Sequence, residues 1–195
     1  MTQAERAAGA IALAIIDMQN DFVRPGAPAC VAGAQGSVPV IRRLLDQARA
    51  AGWPVFHITR EHSQDGSDVE LFRRDMFAQG KGVCRAGTPG AEIVPELAPL
   101  PGERRVIKRR FSAFFGTEFD LLLRRLGVGT LVLAGTQYPN CVRGTAVDAM
   151  SRDYRVLVVT DACSAQSEEV ARANIYDMGG MGIRCLPLAE LSTAL

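Results

Sequence analysis

The chain is short of the features that mark several large functional classes. Its five cysteines (Cys30, Cys84, Cys141, Cys163 and Cys185) are odd in number and widely spaced. That pattern does not read as a disulfide framework, and no CxxC pair is present to hold zinc. No excess of one charge exists either: 22 Lys and Arg stand against 21 Asp and Glu, a formal net charge of +1. A balanced chain whose basic pairs are spread evenly has no field suited to a nucleic-acid backbone. The apolar run near the N-terminus is too short for a signal core or a membrane span, so a cytoplasmic, reducing location is expected. GxGxxG and P-loop spacings are absent after the first apolar run, which leaves nucleotide binding without support. No repeat, low-complexity tract or Gly/Ser linker divides the 195 residues, and a single domain spanning 1–195 is expected.

What is present is alternation. "AIALAIID" (10–17), "WPVFHITR" (53–60), "GTLVLAGT" (129–136) and "YRVLVVTDA" (154–162) are short apolar runs of the kind that form strands buried on both faces. Weaker candidates lie at "RRVIKR" (104–109) and "GIRCLPL" (182–188). Helix-like segments separate them: "SVPVIRRLLDQARAAG", "GTEFDLLLRRLG", "GTAVDAMSRD" and "SEEVARANIYDMGGMG", the last opened by Ser167 as an N-cap. Strand and helix in alternation call for an α/β fold: a three-layer α/β/α, doubly wound, mostly parallel six-stranded sheet of Rossmann-like order. Ligands of such sheets bind outside the carboxyl ends of the strands, so the residues that close each apolar run carry the functional interest. The long irregular piece from about Glu61 to Gly102 reads as a lid, a substrate loop or an oligomer contact.

Three strand-end residues stand out. Asp17 closes the first run, where burial would raise its pKa toward that of a general base, although a cap is the plainer reading. Lys108 lies within "VIKRRFSAFFGT" and could orient an acid, lower a thiol pKa or bind a substrate oxygen; a solvated charge run is the alternative. Cys141, in "GTQYPNCVRGTAVDA", sits near a helix start whose N–H groups favour a thiolate and an oxyanion, yet free cysteines often merely pack. Cys163 is its only rival. Of the two histidines, His57 falls inside a strand pattern and reads as core, whereas His62 is either a substrate ligand or a solvated loop residue.

Together, "IIDMQNDF", "HITREHSQDGSDVE", "KRRFSAFFGTEFDLLLRRLGV", "LVLAGTQYPNCVRGTAVDAMSRDYRVLVVTDACSA" and "ANIYDMGGMGI" resemble the isochorismatase-like cysteine hydrolases over nearly the whole chain. The resemblance implies a catalytic acid at Asp17, a lysine at Lys108 and a nucleophile at Cys141. It also implies a cis peptide at Thr136-Gln137 and an oxyanion hole made by the amides of Gln137 and Cys141. Nicotinamidases of this superfamily carry an Asp-x-His metal cluster after the "TR" of the second strand. Here "TREHS" supplies Glu61, His62 and Ser63, with the histidine out of register, so no metal and no other cofactor is expected. The motifs look most like the metal-free branch with biuret hydrolase and N-carbamoylsarcosine amidase, which implies cleavage of a C–N bond in a small linear amide, ureide or carbamoyl compound. Phe22, Arg60, His62 and Phe115 are the expected pocket wall, and Gln166 or Asn174 the expected ligand of a urea-like group. A homodimer or homotetramer is implied, with no nucleic-acid or membrane partner. A vinyl-ether hydrolase, which would not need Cys141, and a catalytically idle binding member are the competing readings.

Overall fold

The computed structural model describes residues 9–195. Six strands form one sheet in the order β3-β2-β1-β4-β5-β6. They are β1 (Ala10–Ile16), β2 (Val55–Arg60), β3 (Arg104–Lys108), β4 (Val128–Thr136), β5 (Arg155–Ser164) and β6 (Arg184–Leu186). Every neighbouring pair is parallel, so "mostly parallel" becomes wholly parallel. The chain reverses its winding between β1 and β4, and this switch point opens a crevice at their carboxyl ends.

The helices are α1 (Asn20–Val23), α2 (Ala34–Ala50), α3 (Arg74–Ala78), α4 (Phe119–Arg125), α5 (Arg143–Met150), α6 (Glu168–Gly180) and α7 (Leu191–Ala194). Alternation along β1 explains the three layers. Ala12, Ala14 and Ile16 face a core shared with Phe119 and Leu123 of α4, Ala146 and Ala149 of α5, and Met178 of α6. Leu13 and Ile15 face the opposite core, against Ile41, Leu44 and Leu45 of α2 and Leu191 of α7. Each strand residue thus buries against one layer or the other, which is why the central strands read as unbroken apolar runs.

Local signals act where expected. Val38, Ile41, Leu44, Leu45 and Ala48 line the buried face of α2, and Gly52 follows it at φ +69°. Ser167 caps α6 by accepting from the Val170 amide at 3.3 Å. The segment after β2 holds α3 and three short 3-10 turns rather than a long regular element. No helix among the described residues is long and apolar enough to cross a membrane.

Candidate active site

Asp17 is the first residue beyond β1, with φ at 52°, a left-handed backbone that a non-glycine residue adopts uncommonly. Its amide still donates to Ile58 O at 2.8 Å while its carbonyl accepts from Gln19 N at 2.8 Å, so the turn begins under the sheet's own hydrogen bonds. Gln19 is wholly buried and secures the next strand end. Its Oε1 accepts from the Arg60 amide, and its Nε2 donates to the carbonyls of Arg60 and Ala91, each at 2.7 Å. The turn presents the Asp17 carboxylate, 1% exposed, over the crevice.

Lys108 ends β3, and β2 lies between that strand and β1. The two residues are therefore not on neighbouring strands; the four-carbon stem of Lys108 carries its ammonium across to Asp17. Nζ donates to Asp17 Oδ2 at 2.7 Å, to Cys141 Sγ at 3.3 Å and to Arg110 O at 3.3 Å. Three donors meet three acceptors, which is what a fully buried ammonium requires.

Cys141 lies within a π-type turn, Tyr138–Val142, that leads into α5, and the Thr136-Gln137 peptide before it is cis. Its sulfur receives Arg60 Nη2 at 3.6 Å as well as Lys108 Nζ. Burial pushes the Cys141 thiol above the ordinary cysteine range and the Asp17 carboxylate adds to this; Lys108 and Arg60 pull the other way without cancelling it. Desolvation of the sulfur thus opposes the thiolate that a helix start would favour, and the regular helix begins only at Arg143. Once its proton leaves for a carboxylate, the sulfur remains between two cations. Arg60 itself is 1% exposed; burial would lower its pKa, but Cys141, Asp17 and Glu70 together hold it raised.

These groups open onto a small pocket whose wall includes Asp17, Cys141, Phe22, Arg60, Arg73 and Phe111. Phe22 and Arg60 are among its lining residues. His62 does not reach the pocket. It is buried behind it, edge-on to Phe77 at 5.6 Å and within 3.5 Å of the Asp68 carboxylate. Phe115 is 65% exposed; Phe111, one helical turn earlier in spacing, takes the pocket position with Arg60 over its ring at 5.5 Å. Gln166 clamps a neighbouring loop instead, accepting from Ala32 N at 3.2 Å and donating to Cys30 O at 3.1 Å. Asn174 donates to Val170 O within α6. Arg73, Phe111 and Asn140 line the pocket and were not singled out from the sequence. Cys163 packs under β4, its thiol raised by burial.

A family model described as an isochorismatase domain matches residues 11–190. The chain belongs to the isochorismatase family. A solved isochorismatase family protein from Desulfovibrio vulgaris superposes with a TM-score of 0.94 at 62% identity, covering 95% of this chain and 98% of that one. A relative from Arabidopsis thaliana, described as a probable inactive nicotinamidase, is 44% identical over 187 residues, 94% of this chain and 95% of its own. N-carbamoylsarcosine amidase from an Arthrobacter species is 30% identical over 168 residues, 84% of this chain and 62% of that protein.

Proposed function

We propose that this isochorismatase-family protein is a cysteine hydrolase that cleaves the C–N bond of a small linear amide, ureide or carbamoyl compound, with Asp17, Lys108 and Cys141 as its triad. Asp17 takes the Cys141 proton, and the sulfur attacks the substrate carbonyl carbon. As the C–N bond breaks, Asp17 returns that proton to the leaving nitrogen, and a thioester remains. Water, giving its proton to Asp17, then attacks the thioester; the C–S bond breaks and the thiol is restored. Lys108 orients Asp17 throughout and balances the charge on sulfur. The amides of Gln137 and Cys141 form the oxyanion hole in this reading.

The observation that carries the proposal is that one buried ammonium touches both the carboxylate and the thiol, at 2.7 and 3.3 Å, at the floor of a pocket. Two further features support it. Asp17 Oδ1 is buried without a hydrogen-bond partner among the described residues, which leaves an acceptor for the thiol proton. The Gln137 amide makes no backbone hydrogen bond among the described residues. The Arthrobacter relative's activity, as named, is of the same class. The five free cysteines suit a reducing cytoplasm, and the assembly that goes with this reading is a homodimer or homotetramer.

Assay for ammonia or amine release across nicotinamide, biuret, N-carbamoyl amino acids, maleamate and simple lactams tests the reaction. We expect Cys141→Ala and Cys141→Ser to lose at least about 10³-fold in rate while circular dichroism stays unchanged. Undiminished hydrolysis in either variant defeats the mechanism. The description of the Arabidopsis relative as inactive favours a second reading, an idle member of the family. Silence of the wild-type protein across the whole panel would favour it.

A further inference from the structure

Two buried side-chain oxygens of residues on the pocket wall have no hydrogen-bond partner among the described residues: Asp17 Oδ1 and Thr136 Oγ1. They belong to neighbouring strands. Gly135 of β4 is the register partner of Ile16 of β1, so Thr136 and Asp17 are the next residues along, side by side at the carboxyl ends. Thr136 is 1% exposed, and its hydroxyl has no bulk solvent to satisfy it. An unpartnered buried hydroxyl is costly to keep. Valine would fill the same space without that cost, so packing alone does not call for a hydroxyl here.

The second half of the reaction has a use for it. Once a thioester has formed, a water must sit on the base that will take its proton and face the carbonyl carbon. Lys108 Nζ occupies Asp17 Oδ2 at 2.7 Å, so Oδ1 is the oxygen left to receive that water. A single acceptor fixes the distance of a water but lets it swing, and buried waters typically make about three hydrogen bonds. A second partner beside Oδ1 fixes the direction of attack. Thr136 Oγ1 is the buried, unspent oxygen on the adjoining strand end.

We infer that Thr136 is a positioning residue for thioester hydrolysis: its hydroxyl, together with Asp17 Oδ1, holds the attacking water. The inference rests on the thioester reading of the proposed function. The water directs one proton at Oδ1 and the other at Oγ1, which leaves a lone pair for the carbonyl carbon. As the O–C bond forms, the first proton passes to Oδ1. As the C–S bond breaks, that proton goes on to the sulfur and the acid product leaves. Thr136 exchanges no proton in this sequence. Acylation makes no use of its hydroxyl, because Asp17 there takes the proton from the thiol itself. Loss of the hydroxyl should therefore slow the second half of the reaction alone.

p-Nitrophenyl acetate supplies an acyl group without any amide, and mass spectrometry follows acetyl-Cys141 over time. The acetyl group should persist about 10- to 100-fold longer in Thr136→Val than in the wild-type protein, the range for a misplaced reactant. Thr136→Ala should behave like Thr136→Val, and Thr136→Ser should recover most of the wild-type rate. With an amide substrate, kcat and KM of Thr136→Val should fall together while kcat/KM stays level, as slow breakdown of an acyl-enzyme requires. Ser164 provides the control. It is the register partner of Thr136 on β5, and its hydroxyl is also buried and unpartnered, but it lines a different cleft beside Gly33 and Ile175. Ser164→Ala should keep the wild-type rate. An unchanged acetyl lifetime in Thr136→Val and Thr136→Ala, or an equal rise in Ser164→Ala, overturns the inference, since the hydroxyl would then serve the packing of β4 on β5. A fall in kcat/KM with no accumulated acyl-enzyme overturns it as well, because the hydroxyl would then act on the amide. Failure of the wild-type protein to form acetyl-Cys141 defeats the nucleophile itself, and this role for Thr136 with it. If acetyl-Cys141 forms and decays as expected but no amide is cleaved, the amide reading fails and the part of Thr136 in thioester hydrolysis stands.

Discussion

Lys108 has no spare donor and Asp17 has one spare acceptor, and this asymmetry sets what each residue can tolerate. Lys108→Met keeps the apolar stem but leaves the Asp17 carboxylate buried and unpaired. Removing one member of a buried ion pair costs about 3 to 5 kcal/mol, more than the pair itself contributes, because the survivor has no solvent to return to. We therefore expect Lys108→Met to lose about that much unfolding free energy in urea, or to bind a proton on Asp17, and to lose at least about 10²-fold in turnover. Lys108→Arg should not restore activity. A flat, rigid fork cannot aim three donors at a carboxylate, a sulfur and a carbonyl as the ammonium does. A Lys108→Arg enzyme with near wild-type turnover would mean that only the positive charge matters.

Two strands bring Asp17 and Cys141 together through one close approach of backbones. Gly135 of β4 pairs with Ile16 of β1 at the switch point, with φ at +116°, and a Cβ built there would lie 2.1 Å from Ile16 O. Ile16 leads directly into Asp17, and Gly135 into the cis peptide and Cys141, so the spacing of the carboxylate and the thiol is set at this contact. Gly135→Ala should cost about 2 to 4 kcal/mol by combining an unfavourable φ with a backbone clash. Any folded fraction should lose turnover more than substrate affinity, since the two reacting groups move apart. A kcat unchanged in a soluble, folded variant would show that the strands do not set that distance. This contact also marks what the sequence made legible. Strands buried on both faces write themselves as continuous apolar runs, and a doubly wound sheet makes their carboxyl ends the place to search; that put Asp17, Lys108 and Cys141 among several candidates, and the family resemblance singled them out. The pocket wall did not, because the segment from 61 to 102 is held by ion pairs rather than by a periodic apolar face. Nothing in "ELFRRD" distinguishes Arg73, turned to the pocket, from Arg74. Likewise, the chain beyond Lys108 coils irregularly, so spacing could not say that Phe111 rather than Phe115 turns inward.

Across the whole molecule, two buried polar clusters at opposite ends of β2 make stability depend on acid in two stages. His62 has a fully buried ring. Burial first, and then the Arg60 charge, lower its pKa from 6.5 to about 4, with Glu70 and Asp68 opposing. An unfolded chain binds a proton on this histidine near pH 6.5 that the folded chain refuses until near pH 4, so stability is lost as pH falls through that window. The shift corresponds to about 3 kcal/mol. His57, also lowered chiefly by burial, acts with the same sign. At the other end, Glu103 accepts from Arg49 Nε at 2.6 Å, from the Leu100 amide at 2.9 Å and from His57 Nε2 at 2.8 Å. Burial opposes its charged form, yet these donors hold its pKa down from 4.5 to about 2. Its contribution is present above pH about 4.5 and is lost as pH falls toward 2, because the unfolded carboxyl takes up its proton first. Melting temperature should therefore be level above pH about 7, fall by roughly 6 to 12 °C between pH 6.5 and 4, and fall again below pH 4.5. His62→Leu should flatten the first stage while leaving the second, and Glu103→Gln should lower stability at neutral pH while flattening the second. A first stage that keeps its full slope in His62→Leu would place the titration elsewhere, on His57. The two histidines would then exchange roles, with the Glu103 cluster governing both stages.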